Sequence, residues 1–256
     1  MRLARRLLES KIGSSIRFVS RIGRWQLDRF RLAKGHHVIY CLGDSHVRMF
    51  DYLQRRRLLT NTTLRAVPVS GATALGMVNP NSKTNALKIF RRYIRFIPPR
   101  SSVLLMLGEV DCGFVIWYRA AKHRLPVDDQ LAQSLANYEQ FALALRDRGH
   151  ENIIISSVPL PTIQDDQEWG DVANARREVK ATLLERTGLT SRYNEGLRQF
   201  ARKHGFDFLD FHDEMLDPVS GVVRNELRHQ NRRDHHLSSG AMAPILRQKL
   251  AEMGFE

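Results

Sequence analysis

Ser45, His236 and Asp234 are the residue types that acyl transfer requires: a hydroxyl nucleophile, an imidazole base and a carboxylate that orients the base. Ser45 lies in Tyr40-Cys41-Leu42-Gly43-Asp44-Ser45-His46, directly after the apolar run His37–Leu42. Gly43 permits a tight exit from a strand, and Ser45 falls where the next helix would begin, so its hydroxyl and its backbone N–H point to the same place. His236 lies in Asp234-His235-His236-Leu237, close to the carboxyl terminus. Each feature also has a plainer reading. Asp44 and Ser45 are both favoured helix N-caps, and adjacent histidines on a polar loop are commonly solvated or weak metal ligands. His229, and His212 with Asp213, add imidazole and carboxylate donors, but no HExxH or paired-cysteine motif accompanies them. No metal or other cofactor is expected.

Residues so far apart in sequence need a scaffold, and the chain alternates between two periodicities. Strand-length apolar runs occur at His37–Leu42, Leu64–Val69, Val103–Leu107, Asn152–Ser156 and Phe206–Leu209; amphipathic stretches lie between and after them, at about 46–57, 83–97, 128–149, 171–204 and 239–253. Strands alternating with helices imply parallel pairing, and near-continuous apolar runs imply strands covered on both faces. The expected fold class is α/β, a three-layer α/β/α sandwich on a five-stranded parallel sheet. In such sheets ligands bind beyond the carboxyl ends of the strands, where Gly43–His46, Gly71, Glu109–Asp111 and the 159–170 loop all fall. Pro98-Pro99 stops a helix before the third strand. Trp117 and Tyr118 are candidates for stacking on a sugar ring or for packing in the core.

The 256 residues, 43% of them hydrophobic, suffice for one sizeable core. Two cysteines, Cys41 and Cys112, both beside apolar runs, give no disulfide framework. The net charge of +13 is uneven. Residues 1–35 carry ten Lys and Arg against Glu9 and Asp28, and apolar residues from Leu3 to Val19 recur at helical spacing. This basic arm (1–35) is distinguished from a catalytic domain (36–256), and it suits an anionic membrane surface. Gly13-Ser14-Ser15 favours a break in it. No aromatic pattern supports specific nucleic-acid binding. A run of eighteen apolar residues and a cleavable leader pattern are both missing, so a cytoplasmic location, peripheral at the membrane, is expected.

Block by block, residues 37–253 resemble the SGNH (GDSL-like) hydrolases. Gly43-Asp44-Ser45-His46 resembles the family's nucleophile block, and Gly71 in Ser70-Gly71-Ala72-Thr73-Ala74-Leu75-Gly76 its glycine block. Leu107-Gly108-Glu109-Val110-Asp111-Cys112 resembles the third block, and Asp234-His235-His236-Leu237 the histidine block. The resemblance implies that Ser45 attacks, His236 is its base, Asp234 orients His236, and the N–H groups of Ser45 and Gly71 form the oxyanion hole. Two departures stand out. Where the family carries an oxyanion-binding asparagine this chain has Val110, and one such donor is worth about 100-fold to 1,000-fold in turnover. The family's aspartate lies three residues before the histidine, but that position is Arg233; Asp234 lies two before, so either it reaches His236 through a local bulge, or it pairs with His235 and a backbone carbonyl orients His236. Asp44, Glu109 and Asp111 are expected to contact a polar substrate, with loop ordering as the alternative for Glu109 and Asp111. The implied activity is a serine-dependent hydrolase removing a short acyl group from a carbohydrate or other small polar ester. An O-acyltransferase acting on a saccharide, or a binding module with impaired catalysis, are the alternatives.

Overall fold

The structure, a computed structural model, describes residues 23–165, 179–231 and 233–256. Five parallel strands form one sheet: β1 (His37–Gly43), β2 (Thr62–Pro68), β3 (Ser102–Met106), β4 (Ile153–Ser156) and β5 (Asp207–Leu209), in the order β2-β1-β3-β4-β5. All four pairings are parallel, with Gly43 opposite Pro68 in β2 and opposite Met106 in β3. The central strands are the most apolar and the most buried; Ile39, Cys41, Leu42 and every residue from Val103 to Leu107 are sealed from solvent. That is what strands covered by helices on both faces require. Burial pushes both cysteine thiols well above their ordinary range.

The helices are α1 (23–33), α2 (Arg48–Arg56), α3 (Ala86–Ile94), α4 (Ile116–His123), α5 (Val127–Arg146), α6 (Leu183–His204), α7 (His212–Met215) and α8 (Ser239–Glu252). Each strand expected from sequence is present within two residues. Boundaries of the helices shifted for local reasons. The stretch expected as one helix over 171–204 begins its described helical part only at Leu183. There Thr182 caps the end: its hydroxyl accepts from the Glu185 N–H while the Glu185 carboxylate accepts from the Thr182 N–H. α6 ends at Gly205, whose φ of +68° is the left-handed cap. α4 lies between the third and fourth strands, where no helix was expected before 128; the left-handed Arg124 and then Pro126 separate it from α5.

Part of the basic arm belongs to the body of the protein. Asp28 in α1 is fully buried and accepts from Tyr40 Oη (2.9 Å) on β1 and from Arg65 Nε (3.0 Å) and Nη2 (2.5 Å) on β2. Leu32 packs on the core, while Leu27 and Phe30 are exposed. The rest of the arm, with Gly13-Ser14-Ser15, lies outside the described residues.

The order β2-β1-β3 places the reversal of the chain's winding between β1 and β3, so a crevice opens beyond their carboxyl ends. Gly43 closes β1 there because nothing larger fits: a Cβ on it would lie 2.1 Å from the Met106 carbonyl oxygen and 2.5 Å from Val47 Cγ1.

Candidate active site

At the end of β1, Asp44 turns the chain and Ser45 opens a one-turn 3-10 helix, Ser45–Val47. The Asp44 Oδ1 accepts the backbone N–H of His46 at 2.8 Å and lies 3.0 Å from His46 Nδ1. Being first in the turn, the Ser45 N–H has no preceding turn to supply an acceptor. Ser45 Oγ lies 2.8 Å from His236 Nε2.

The loop before α8 delivers His236. Asp234 Oδ1 accepts the backbone N–H of His236 (2.9 Å) and also pairs with its Nδ1 (2.6 Å). With Nδ1 carrying the proton given to Asp234, Nε2 is the nitrogen able to accept from Ser45. The spacing of two residues between acid and histidine therefore works without a bulge: one carboxylate oxygen takes both the main-chain and the ring N–H, a tight local turn. Thr162 after β4 donates its hydroxyl to the His235 carbonyl and so ties the loop to the sheet. Ser238 caps α8 by accepting from the Ala241 N–H, which fixes where the loop stops.

Burial holds the His236 imidazole below its ordinary value, and the neighbouring His46 acts in the same direction, against the opposing pull of Asp234. The His236 and His46 ring centroids are 4.7 Å apart. Burial alone would raise the Asp234 carboxyl, but the backbone and ring N–H groups of His236 outweigh it and leave the acid below its usual range. A base kept neutral beside an acid kept ionised is the arrangement general-base chemistry needs.

Gly71 lies in the exposed turn after β2 with φ +71°, a conformation costly for any residue with a Cβ, although a Cβ there would make only an ordinary contact with Thr84 Cγ2, at 3.6 Å. The loop that follows is anchored by Asp111. Its Oδ2 accepts from the Ala74 N–H at 2.8 Å, and its Oδ1 from Leu75 N–H (3.1 Å) and the Ser134 hydroxyl (2.9 Å). Burial against those bonds raises the carboxyl to about 6. The segment Asp111–Val115 forms one π-helical turn after Val110, a distortion often found at functional sites.

Asp44, Glu109 and Asp111, expected to contact a substrate, are all buried. Asp44 holds His46, Asp111 holds the Gly71 loop, and Glu109 Oε2 lies 3.9 Å from His46 Nδ1. Loop ordering is the role the hydrogen bonds of Asp111 describe. Trp117 donates its indole N–H to the Cys112 carbonyl, and Tyr118 stacks on Phe114. Two trios bring potential metal-ligand atoms within 4.8 Å of one another: Asp234 with His235 and His236, and Asp44 with His46 and Glu109. In both, a histidine Nδ1 is already paired with an aspartate, which accounts for the clustering without an ion. His212 instead meets the Asn194 amide, and burial lowers it. Sequence reasoning did not single out His46, Thr162 or Ser134; the Asp-x-His spacing at 44–46, identical to that at 234–236, was the available signal for the first.

No known family model matches the sequence, and no curated protein matches it. The fold, however, is that of the GDSL-like esterases. A GDSL-like lipase from Bacteroides thetaiotaomicron superposes with a TM-score of 0.53 at 17% identity, covering 86% of this chain and 88% of that one. A lipase/acylhydrolase from Enterococcus faecalis gives 0.52 at 14%, covering 85% and 96%. The acetyl xylan esterase AlAXEase gives 0.51 at 15%, covering 84% and 98%. The SGNH hydrolase fold is thus the class this chain shares.

Proposed function

We propose that the protein is a serine ester hydrolase that removes a short acyl group from a carbohydrate or other small polar ester. The observation that carries this reading is the chain of contacts Ser45 Oγ to His236 Nε2 (2.8 Å) and His236 Nδ1 to Asp234 Oδ1 (2.6 Å). Ser45 attacks the ester carbonyl as His236 takes its proton. The N–H groups of Ser45 and Gly71 receive the oxyanion; His236 then protonates the departing alcohol, and water releases the acyl group by the same steps in reverse. An acetyl xylan esterase among the proteins of like fold supports the short acyl group and the sugar. Hydrolysis of an aryl acetate by the wild type and by Ser45→Ala tests the reading: activity that depends on Ser45 sustains it, and equal rates in the two remove Ser45 from the mechanism.

The basic arm is proposed to hold the enzyme at an anionic membrane surface, supported by the exposed Leu27 and Phe30 beside Arg24, Arg29 and Arg31 in α1. Among the described residues no helix is long and apolar enough to cross a membrane. Anionic vesicles should sediment the full chain and not one lacking residues 1–22 and carrying Leu27→Ser, Arg29→Ser and Phe30→Ser; equal sedimentation refutes this.

A further inference from the structure

Beside the triad lies a polar cavity of about 590 Å³, walled by Asp234 and His235 on one side and by Thr162, Gln164, Asn225 and Arg228 among others. Arg228 is its unusual member. Its Nη1 donates to the Thr162 carbonyl, but its Nε is buried without a hydrogen-bond partner, and among the described residues no carboxylate pairs with it. The neighbouring Arg186 is different, being paired with Asp165 at 3.2 Å. A half-buried guanidinium with no paired carboxylate is costly when left alone, and an anion in the cavity would offset that cost through the Nη groups, Nε itself being sealed.

Resting on the esterase reading, we infer that this cavity receives the alcohol half of the substrate and that Arg228 recognises a carboxylate on it. The side follows from the chemistry. His236 must protonate the leaving oxygen, so the alcohol departs on the side of the 234–236 loop, whose residues form the cavity wall. The charge follows from the lining. Among the described lining residues Arg228 is the one permanent cation and has no paired carboxylate, so an anion is recognised there; Glu226 and Asp234 in the same lining repel a dianion such as phosphate more strongly than a monoanion, and the Nη edge of a guanidinium matches a carboxylate's two oxygens. The amides of Gln164, Asn225 and Gln230 suit the hydroxyls of a polar alcohol. The proposed substrate class is therefore an O-acyl ester of a carboxylate-bearing polar alcohol.

Two esters of one shape and different charge test this: 4-acetoxybenzoate and its neutral methyl ester, with kcat/KM normalised to the hydroxide-catalysed rate of each. The wild type should prefer the anion by about 10-fold to 100-fold at low ionic strength, with the preference shrinking as salt is added. Arg228→Gln should bring the ratio close to one, and Arg228→Lys should leave it between. If Arg228 serves only to brace Thr162, its loss slows both esters alike and the ratio holds, which overturns the inference, as does a wild-type ratio at or below one. Calorimetric binding of both esters to Ser45→Ala repeats the comparison without turnover. A preference for the anion there supports the inference even if the esterase reading fails; equal affinities, or binding of neither, overturn it.

Discussion

Replacing Asp234 by asparagine and by alanine should give very different losses, because one carboxylate oxygen accepts both the His236 backbone N–H (2.9 Å) and the ring Nδ1–H (2.6 Å). In Asp234→Asn the amide oxygen takes that place. The backbone N–H requires an acceptor there, and the amide NH2 falls where Oδ2 stands, 3.8 Å from His229 Nε2, which can accept from it. Orientation and tautomer of His236 are thereby kept, and only the charge is lost. Exchanging a charge-assisted hydrogen bond for a neutral one costs about 1–2 kcal/mol, or about 5-fold to 30-fold in kcat/KM. Asp234→Ala loses orientation as well, and a triad with the wrong histidine tautomer drops by about 10,000-fold. Steady-state kinetics on an aryl acetate, with circular dichroism to check folding, measures both variants. Equal and severe losses would refute the double-acceptor argument, since they would mean that the amide has turned its NH2 to the ring. A mild loss in Asp234→Ala would remove Asp234 from the mechanism.

Val110→Asn should raise kcat at least about 10-fold by supplying an oxyanion donor; an unchanged kcat would show that another group already fills that place. The acid limb of kcat/KM should lie below pH 6.5, because His236 acts when neutral and burial with His46 keeps it so to lower pH; a limb above 6.5 would contradict this. Asp111, raised to about 6 when folded, binds its proton more tightly in the native than in the unfolded state. Its contribution to stability is therefore full below about pH 4 and declines by about 3 kcal/mol as pH rises through 6. Asp111→Asn removes this dependence, so the difference in unfolding free energy between wild type and variant should change with pH in that window, and a constant difference would refute it. Gly43→Ala should fail to fold or lose several degrees of Tm, since its Cβ would lie 2.1 Å from a backbone oxygen; an unaltered Tm would show that β1 and β3 can part there.

The strands were legible because their apolar runs are covered on both faces, a pattern that Val103–Leu107 carries without interruption. Ser45 and His236 were singled out from type and from position at the ends of elements, and the structure brings their side chains within 2.8 Å. The partners of the three carboxylates were not legible, because sequence shows charge but not where its hydrogen bonds go. Asp111 reaches Ala74 and Leu75, 37 and 36 residues away, and Ser134 on α5; nothing local announces those partners. Arg228 was invisible for the converse reason. In a chain with so many arginines, one without a paired carboxylate is distinguished only by its surroundings.

Both imidazoles at the site are fixed by the same short device, an aspartate whose oxygen accepts the N–H and faces the Nδ1 of the residue two places on: Asp44 with His46 and Asp234 with His236. The device uses no distant partner, so the acid of the triad needs no separate element to carry it. This explains why a spacing shorter than the family's is compatible with the geometry. Ser45 lies between the two members of the first unit and reaches the histidine of the second, and the 4.7 Å between the two rings couples them electrostatically. His46, with Asp44 and Glu109 against it, therefore acts with burial to hold His236 below its ordinary value. Asp44 and Glu109, first read as substrate contacts, thus face a ring that itself lowers His236, while Asp111 orders the Gly71 loop.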